Sequence, residues 1–380
     1  MTDVPYFCDL LQALAVSRGV SGITPTVRGR ELQKRIGKPE ILCFVLIDGL
    51  GTMILDRLPR GSFLRSLHEG NLRSVFPSTT ACAMTSLSTG LPPAVHGIPG
   101  RYMYLKERDL HIDTLAFRTR TERNILSPET KPLEIWPFPS LLPRMAGEVF
   151  SLIPEVLRNT PFEKVLAGTT PTVGYRDLSS IPEILERRIR SFTSRGYLYT
   201  YIWELDSLCH RVGPDDPEVD KLLKVLDEML EKLSEKVLPR GTLVISADHG
   251  QFTVDPRQEY RFSDDHPVYK SLLTPPFGEP RALQFLIKRG CHERFVDDFN
   301  ASFGKAFHLY PMEEVEKLGL FGGTTFSDYA KQRFGDYLAV ARDRGLLFFE
   351  NSLFKAASHR GEHGGLLPEE RIIPFLIRGK

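Results

Sequence analysis

Four short and almost continuous apolar runs divide the chain. They read I-L-C-F-V-L-I at 41–47, L-Y-T-Y-I-W-E-L at 198–205, T-L-V-I-S-A at 242–247 and I-I-P-F-L-I at 372–377. A run without polar alternation predicts a strand buried on both faces, as in a parallel sheet covered by helices. Amphipathic stretches typical of helices lie between these runs, the clearest at 219–237. The pattern predicts an α/β protein, a three-layer sandwich around a mainly parallel central sheet.

Two ranges interrupt this alternation. Residues 101–195 contain clusters of proline and aromatic residues and keep no strong period, which predicts a cap or a set of insertions that selects the substrate. Residues 281–334 begin with a strand–helix–strand–helix pattern and predict a small inserted α+β unit. We therefore expect one catalytic domain, 1–380, that carries both insertions.

Composition narrows the class of protein. The chain has 41% hydrophobic and 26% charged residues and a net charge of +1, so it carries no electrostatic signature of nucleic-acid binding. Its five cysteines show no CxxC spacing, the N-terminus does not read as a secretory signal, and no apolar run is long enough for a membrane span. We expect a soluble, cytoplasmic protein, and nothing in the sequence indicates its oligomeric state.

Side chains able to bind metal lie next to the four predicted strands. They are Asp48, Asp206, His210, Asp248, His249 and His363. Open α/β sheets bind ligands just beyond the carboxyl ends of their strands, so we expect these groups to meet at one edge. Three carboxylates and three imidazoles suit two divalent cations such as Zn²⁺ or Mn²⁺, with three protein ligands each and positions open for substrate.

A candidate nucleophile lies between the first two of these motifs. Three hydroxyl residues, Ser78, Thr79 and Thr80, follow Pro77, and a helix of small residues is predicted over 81–88. On its own this stretch is an ordinary capped turn, because Ser and Thr are favoured at helix N-caps. A helix N-terminus also attracts anions through its free N–H groups and its dipole. We expect Ser78 and Thr79 to cap the helix and Thr80 to reach both a metal and an anion.

The motifs, taken together, resemble a known family. They are D-G at 48–49, F-P-S-T-T at 76–80, S-T-G-L-P-P-A-V-H-G-I at 88–98, E-L-D-S-L-C-H at 204–210, S-A-D-H-G at 246–250 and G-E-H-G-G at 361–365. In order and spacing they are similar to the alkaline phosphatase superfamily, type I phosphodiesterase/nucleotide pyrophosphatase family. The similarity runs from about residue 41 to the C-terminus and is weak in 101–195 and 281–335.

This resemblance implies a mechanism and a division of the ligands. Thr80 would be the nucleophile that forms a phospho-enzyme during hydrolysis of a phosphodiester or pyrophosphate bond in a small-molecule or nucleotide substrate. The metals would be two divalent ions, Zn²⁺ with Mn²⁺ as the alternative. The implied ligands are Asp206, His210 and His363 at one metal, and Asp48, Asp248 and His249 with the Thr80 oxygen at the other.

One departure from the family pattern concerns the phosphate. Many members carry an asparagine three residues after the nucleophile, where this chain has Ala83. We expect the N–H of Ala81, or an arginine such as Arg176 or Arg281, to hold the phosphate oxygens instead. A phosphomonoesterase or a phosphonate hydrolase of the same superfamily remains open. A non-catalytic metal-binding protein is the alternative of a different class, and the complete ligand set argues against it.

Overall fold

The structure, a computed structural model, describes residues 4–121, 126, 132–355 and 359–379. The strands in this part of the chain are numbered in chain order. They are β1 (Ile41–Ile47), β2 (His68–Arg73), β3 (Tyr102–Leu105), β4 (Leu110–Asp113), β5 (Arg118–Thr119), β6 (Glu148–Pro154), β7 (Thr172–Tyr175), β8 (Gly196–Ile202), β9 (Gly241–Ser246), β10 (Phe252–Thr253), β11 (Glu259–Phe262), β12 (Phe277–Glu279), β13 (Ala282–Phe285), β14 (Phe307–Pro311), β15 (Tyr337–Ala341), β16 (Leu346–Phe349), β17 (Gly361–Glu362) and β18 (Ile372–Arg378).

The α-helices of the described residues are numbered in the same way. They are α1 (Phe7–Ser17), α2 (Val27–Ile36), α3 (Thr52–Leu55), α4 (Phe63–Ser66), α5 (Thr80–Thr89), α6 (Pro93–His96), α7 (Pro132–Ile135), α8 (Pro161–Ala167), α9 (Ile181–Ser191), α10 (Glu204–Val212), α11 (Pro217–Val237), α12 (Pro267–Lys270), α13 (His292–Phe303), α14 (Met312–Lys317), α15 (Asp328–Arg333) and α16 (Pro368–Arg371). In the part of the chain with described structure, none of these helices is long and apolar enough to cross a membrane.

Seven strands form the central sheet, in the order β2-β18-β9-β1-β8-β6-β7. β1 is parallel to β8 and β9, and β6 is parallel to β8 and β7. β18 is antiparallel to both of its neighbours, β9 and β2, so β2 and β9 run in the same direction. β1, β8 and β9 are buried along their whole length, as their apolar sequences predict. The predicted mainly parallel α/β sheet is confirmed.

Helices cover this sheet in two groups. In one group α1 contacts α2 and α5, and α5 contacts α8; in the other, α11 contacts α4, α9 and α10. The amphipathic stripe of α11 is buried through residues such as Leu223, Leu226 and Leu230. Since the central strands are buried on both faces, the two helical groups provide the outer layers that the sandwich requires.

A second, antiparallel sheet has the order β14-β15-β13-β12-β3-β4-β5. It combines strands of both predicted insertions, because β3 pairs with β12 through Tyr102 and Gly278. The expected strand–helix–strand–helix order after residue 281 is present as β13, α13, β14 and α14, but as part of this larger sheet. The periodicity of a segment carries no information about its pairing with a segment far away in sequence. The sequence pattern therefore predicted two separate insertions.

The range 101–195 also differs from the expected cap. β6 and β7 belong to the central sheet, and α9 packs on α11 in one of its helical layers. Polar Ser151 and the terminal Pro154 interrupt the apolar run of β6, which hid the strand from the sequence pattern. The range therefore divides into a part that joins the second sheet and a part that completes the core. The boundaries of a single domain over 1–380 stay a prediction.

Candidate metal centre

The strand directions bring the candidate ligands to one edge of the central sheet. Asp48 follows β1, Asp206 lies in the first turn of α10 after β8, and Asp248 and His249 follow β9. Because β18 is antiparallel, the segment that precedes it, with His363, reaches this same edge. The pairing of β10 with β17, Phe252 opposite Glu362, fixes that segment beside the Asp248–His249 turn. All six expected ligands therefore lie in this region.

Asp206, His210 and His363 form one group whose ligand atoms all lie within 4.8 Å of one another. The Nε2 atom of His210 is 3.5 Å from Asp206 Oδ2, and the two Nε2 atoms of His210 and His363 are 3.3 Å apart. His363 Nε2 is 3.8 Å from Asp206 Oδ1. Three donors of the type that Zn²⁺ prefers thus converge on one point.

Asp48, Asp248 and His249 form a second group, again with all ligand atoms within 4.8 Å. His249 Nε2 is 3.3 Å from Asp48 Oδ1 and 3.4 Å from Asp248 Oδ2. All three side chains are buried. The rings of His249 and His363 stack with their centroids 3.7 Å apart, so the two groups are adjacent.

Each histidine directs the same ring nitrogen into its group. The other nitrogen, Nδ1, lies close to a main-chain carbonyl: 2.8 Å from Gly361 O for His210, 3.2 Å from Gly250 O for His249 and 2.9 Å from Ser78 O for His363. A carbonyl accepts but cannot donate, so it favours the tautomer with the proton on Nδ1. Nε2 then keeps its lone pair for a metal, as in most histidine ligands.

Gly49 allows the turn after β1 to fit against α10. Its φ is +76°, in the region that glycine adopts most readily, and a Cβ there would lie 3.2 Å from the Cα of Asp206. Its N–H donates to Asp248 Oδ1 over 3.2 Å. The D-G motif therefore brings the two ligand groups together through backbone geometry as well as through Asp48.

Thr80 is the first residue of α5, and its hydroxyl lies 3.2 Å from His249 Nε2. Thr79 occupies the N-cap position but makes no capping hydrogen bond through its side chain, and Ser78 donates its hydroxyl to Gly365 O instead. The expectation that these two side chains cap the helix is therefore wrong. The first-turn N–H groups of α5 have no acceptor inside the helix and remain donors for an anion beside Thr80.

Burial and like charge dominate the electrostatics of the two groups. Burial, together with the charges of Asp206 and Asp248, raises the pKa of Asp48 well above its usual value, and burial also raises the pKa of Asp206 and Asp248. Burial lowers the pKa of His249, and that of His363 falls well below the ordinary value. Several buried carboxylates beside neutral imidazoles are unfavourable by themselves.

The donor set fits divalent cations. Asp48 Oδ1 and Asp248 Oδ2 are buried and have no hydrogen-bond partner among the described residues, although buried carboxylate oxygens normally have one. The facing lone pairs of His210 and His363 repel each other unless a cation or proton lies between them. A metal at each group would satisfy these atoms and reverse the local pKa shifts.

Further side chains next to the ligands hold them, and two of these, Tyr201 and Gln251, were not predicted from the sequence. Tyr201 donates its hydroxyl to Asp48, and Gln251 donates its side-chain amide to Asp206. Glu362 is buried and lies 2.7 Å from His359 Nδ1 through Oε1, while the rings of His359 and His210 lie 4.6 Å apart. The only sequence signal was position: Tyr201 lies on a predicted strand, and Gln251 directly follows D-H-G.

The arginines expected to hold phosphate are not at the site. Arg281 is buried in an ion pair with Glu370, its Nε 2.5 Å from Oε1, and Arg176 is exposed outside the cavity. The cavity that contains Thr80 is instead lined by Arg101, Arg118 and Arg120. Their position depends on the antiparallel sheet, whose pairing the sequence pattern did not reveal.

Comparison with known proteins identifies the family of this chain. The family model described as type I phosphodiesterase/nucleotide pyrophosphatase matches residues 42–136 and 156–365. Venom phosphodiesterase 2 of Crotalus adamanteus is 26% identical over 189 residues, which cover 48% of this chain and 22% of that protein. Venom phosphodiesterase 1 of the same species matches at the same identity and covers 21% of its length. The chain thus spans about a fifth of the length of these curated relatives.

Solved structures share the fold over most of the chain. Murine ectonucleotide pyrophosphatase/phosphodiesterase 5 has a TM-score of 0.69 at 17% identity, covering 89% of this chain and 88% of that chain. Phosphonoacetate hydrolase from Sinorhizobium meliloti 1021 has a TM-score of 0.65 at 17% identity, covering 90% and 91%. At these identities the likeness establishes the fold. Because the family model matches far more than half of the residues of this chain, the chain belongs to the type I phosphodiesterase/nucleotide pyrophosphatase family.

Proposed function

We propose that the protein is a metal-dependent hydrolase of phosphodiester or pyrophosphate bonds that acts through a covalent intermediate on Thr80. The observation that carries this proposal is the position of the Thr80 hydroxyl, 3.2 Å from His249 Nε2 and beside two groups of three metal-type ligands. Family membership supports the same class of reaction. Its substrate would be a small phosphodiester or a nucleotide.

The ligands divide between two cations, with Zn²⁺ preferred and Mn²⁺ as the alternative. One would be held by Asp206, His210 and His363, and the other by Asp48, Asp248 and His249 with the Thr80 oxygen. Bound divalent cations supply Lewis acidity, which lowers the pKa of a hydroxyl and neutralises charge on a phosphoryl group.

The chain's own residues then perform two displacements. The Thr80 hydroxyl gives up its proton to solvent as its oxygen forms a bond to phosphorus, while the ester bond breaks and the leaving group departs with that electron pair. Water next attacks phosphorus, the bond to Thr80 breaks, and the hydroxyl regains a proton. The free N–H groups at the start of α5 hold the phosphoryl oxygens through both steps, in place of the side chain that Ala83 lacks.

A phosphomonoesterase is the second candidate, and Arg101 favours it. A monoester carries one more negative charge than a diester, and a guanidinium in the cavity of the ligand groups would compensate for that charge. The two candidates differ in the substrate that each should prefer.

The test is a substrate panel on metal-stripped protein with Zn²⁺ or Mn²⁺ added back. We expect bis-p-nitrophenyl phosphate to be hydrolysed faster than p-nitrophenyl phosphate, with activity lost on chelation and regained together with about two metal equivalents. Preference for p-nitrophenyl phosphate would support the second candidate. Full activity in a metal-free preparation, or no turnover of any phosphate ester, would contradict the proposal.

A further inference from the structure

The cavity at the metal centre is larger than one phosphodiester group requires. Its volume is about 1180 Å³, and it extends from Thr80 and the ligand groups to β3, β5 and β12 of the antiparallel sheet. Cavities of this size accommodate ligands with several functional groups. The side chains that line the wall away from Thr80 therefore indicate the chemistry of the part of the substrate that does not react.

That wall carries two arginines, Arg118 and Arg120, which we call the arginine face. Among the described residues, one carboxylate forms an ion pair with it: Asp113, which lies 3.8 Å from Arg118 and also 3.4 Å from Arg101. Both distances are long for a strong charge-assisted hydrogen bond, which measures about 2.7–2.9 Å. The arginine face thus keeps positive charge that Asp113 does not neutralise.

Arg120 is held rigidly and is short of acceptors. Its guanidinium lies over the rings of Tyr102 and Phe354, 4.0 Å and 4.8 Å from their centroids. Among the described residues, its side chain makes one hydrogen bond, from Nη1 to Pro276 O over 3.1 Å. Burial lowers the pKa of Arg120 to about 10, and the nearby charges of Asp113 and Glu279 offset this effect only in part. A guanidinium that packs on aromatic rings and has donors left over can bind an anion in its plane.

Glu362, which also lines the cavity, pairs with His359. Two further carboxylates outside the ligand groups do not remove the charge of the arginine face. Glu279 accepts a hydrogen bond from the Arg101 backbone N–H over 2.5 Å, and burial raises its pKa to about 7, so it is partly neutral. Glu163 belongs to α8, which packs on the helix that starts at Thr80. Neither pairs with an arginine of the face among the described residues.

From this geometry we infer that the arginine face is a second anion subsite, and that the substrate carries another anionic group, a phosphate or a carboxylate, on one of its ester arms. The inference rests on the proposed function, because the metal centre must hold the phosphoryl group that reacts. It narrows the substrate class from any phosphodiester to one with two separated anionic groups.

Calorimetric titration of the metal-loaded protein tests the subsite directly. The probes are propyl phosphate and the bisphosphates of ethane, propane and butane diols, with 4-phosphonooxybutanoate as the carboxylate arm. We expect the best-fitting bisphosphate to bind roughly 10- to 100-fold more tightly than propyl phosphate, the range expected for one charge-assisted contact. Comparison with the carboxylate compound shows which anion the arginine face prefers.

Substitution of the arginines tests whether they cause the tighter binding of the bisphosphate. Arg118→Gln and Arg120→Gln should each reduce this preference for the bisphosphate, and the double variant should bring it near one. The matched control is Arg176→Gln, an exposed arginine outside the cavity, which should keep the full preference. Arg118 is half-exposed, so Arg118→Gln should fold. This variant still tests the subsite if Arg120→Gln does not fold.

The outcomes separate this inference from the proposed function. Equal affinity for propyl phosphate and every two-anion probe would overturn the subsite, and so would a preference that survives in the double variant. If bis-p-nitrophenyl phosphate is turned over in the same preparation, the proposed function still stands. Failure of the metal-loaded protein both to hydrolyse it and to bind propyl phosphate would overturn both.

Discussion

The edge of the central sheet and the antiparallel sheet line the same cavity, but they depend on different kinds of sequence information. At the sheet edge, each ligand lies within a few residues of a buried strand, so the strand pattern and the strand direction place it. In the antiparallel sheet, Tyr102 lies opposite Gly278 and Asp113 lies opposite Arg118, and the first of these pairs joins distant segments. Local motifs thus set the position of the residues proposed to perform the chemistry, whereas long-range pairing sets the position of those that would select the substrate.

The largest effect should come from the nucleophile at the sheet edge. We expect Thr80→Ala to lower kcat by on the order of 10³ or more, because it removes the oxygen, 3.2 Å from His249 Nε2, that would attack phosphorus. Metal content and the unfolding midpoint should stay near those of the unmodified protein. Steady-state kinetics with bis-p-nitrophenyl phosphate measure the loss.

The control for this variant is Thr85→Ala on the same helix. Thr85 is buried and donates its hydroxyl to Ala81 O over 2.8 Å, away from both ligand groups. It should keep turnover within a few-fold. Near-normal turnover of Thr80→Ala would contradict the assignment of the nucleophile.

The next largest effect should be a loss of stability when the ion pair that connects the two regions is broken. Arg281 precedes β13, and its ion pair with Glu370 is fully buried; Glu370 also accepts from the N–H groups of Gly365 and Leu367. Arg281→Met leaves a buried carboxylate without its cation, so we expect the free energy of unfolding to fall by about 3–5 kcal/mol. Chemical denaturation measures this change.

A neighbouring pair provides the comparison. Arg344 lies 3.2 Å from Glu369, and its side chain is 40% exposed, so Arg344→Met should change the free energy of unfolding by about 0–1 kcal/mol. Similar small changes in both variants would show that the buried pair does not tie the antiparallel sheet to the segment that carries His363.

The smallest effect tests a residue that supports a ligand. Tyr201→Phe removes the hydroxyl that donates to Asp48, and we expect metal affinity or activity to fall about 10- to 100-fold. Competition with a chelator measures the affinity. Tyr199→Phe is the control on the same strand, because its hydroxyl lies 3.9 Å from Met84 Sδ and contacts no ligand. Equal losses in the two variants would assign the effect to general packing.

The sequence predicted the central sheet because its strands are continuous apolar runs. It also predicted that six ligands and Thr80 meet, since polar residues at the ends of parallel strands share one edge. It did not predict β2, β6 and β7 of the central sheet, of which β6 is interrupted by Ser151, or the joint antiparallel sheet. Arg281 was misassigned for a physical reason: its charge suggested a phosphate ligand, but Glu370, far along the chain, neutralises it in the core.

The most direct test of the central claim is rapid-quench labelling of the metal-loaded protein with a diester substrate carrying ³²P, followed by peptide mapping. If the edge of the central sheet acts through a covalent intermediate, the label will lie on Thr80 and will be absent from Thr80→Ala. Label on Ser78 or Thr79 would contradict the account, as would burst-phase turnover without a labelled peptide.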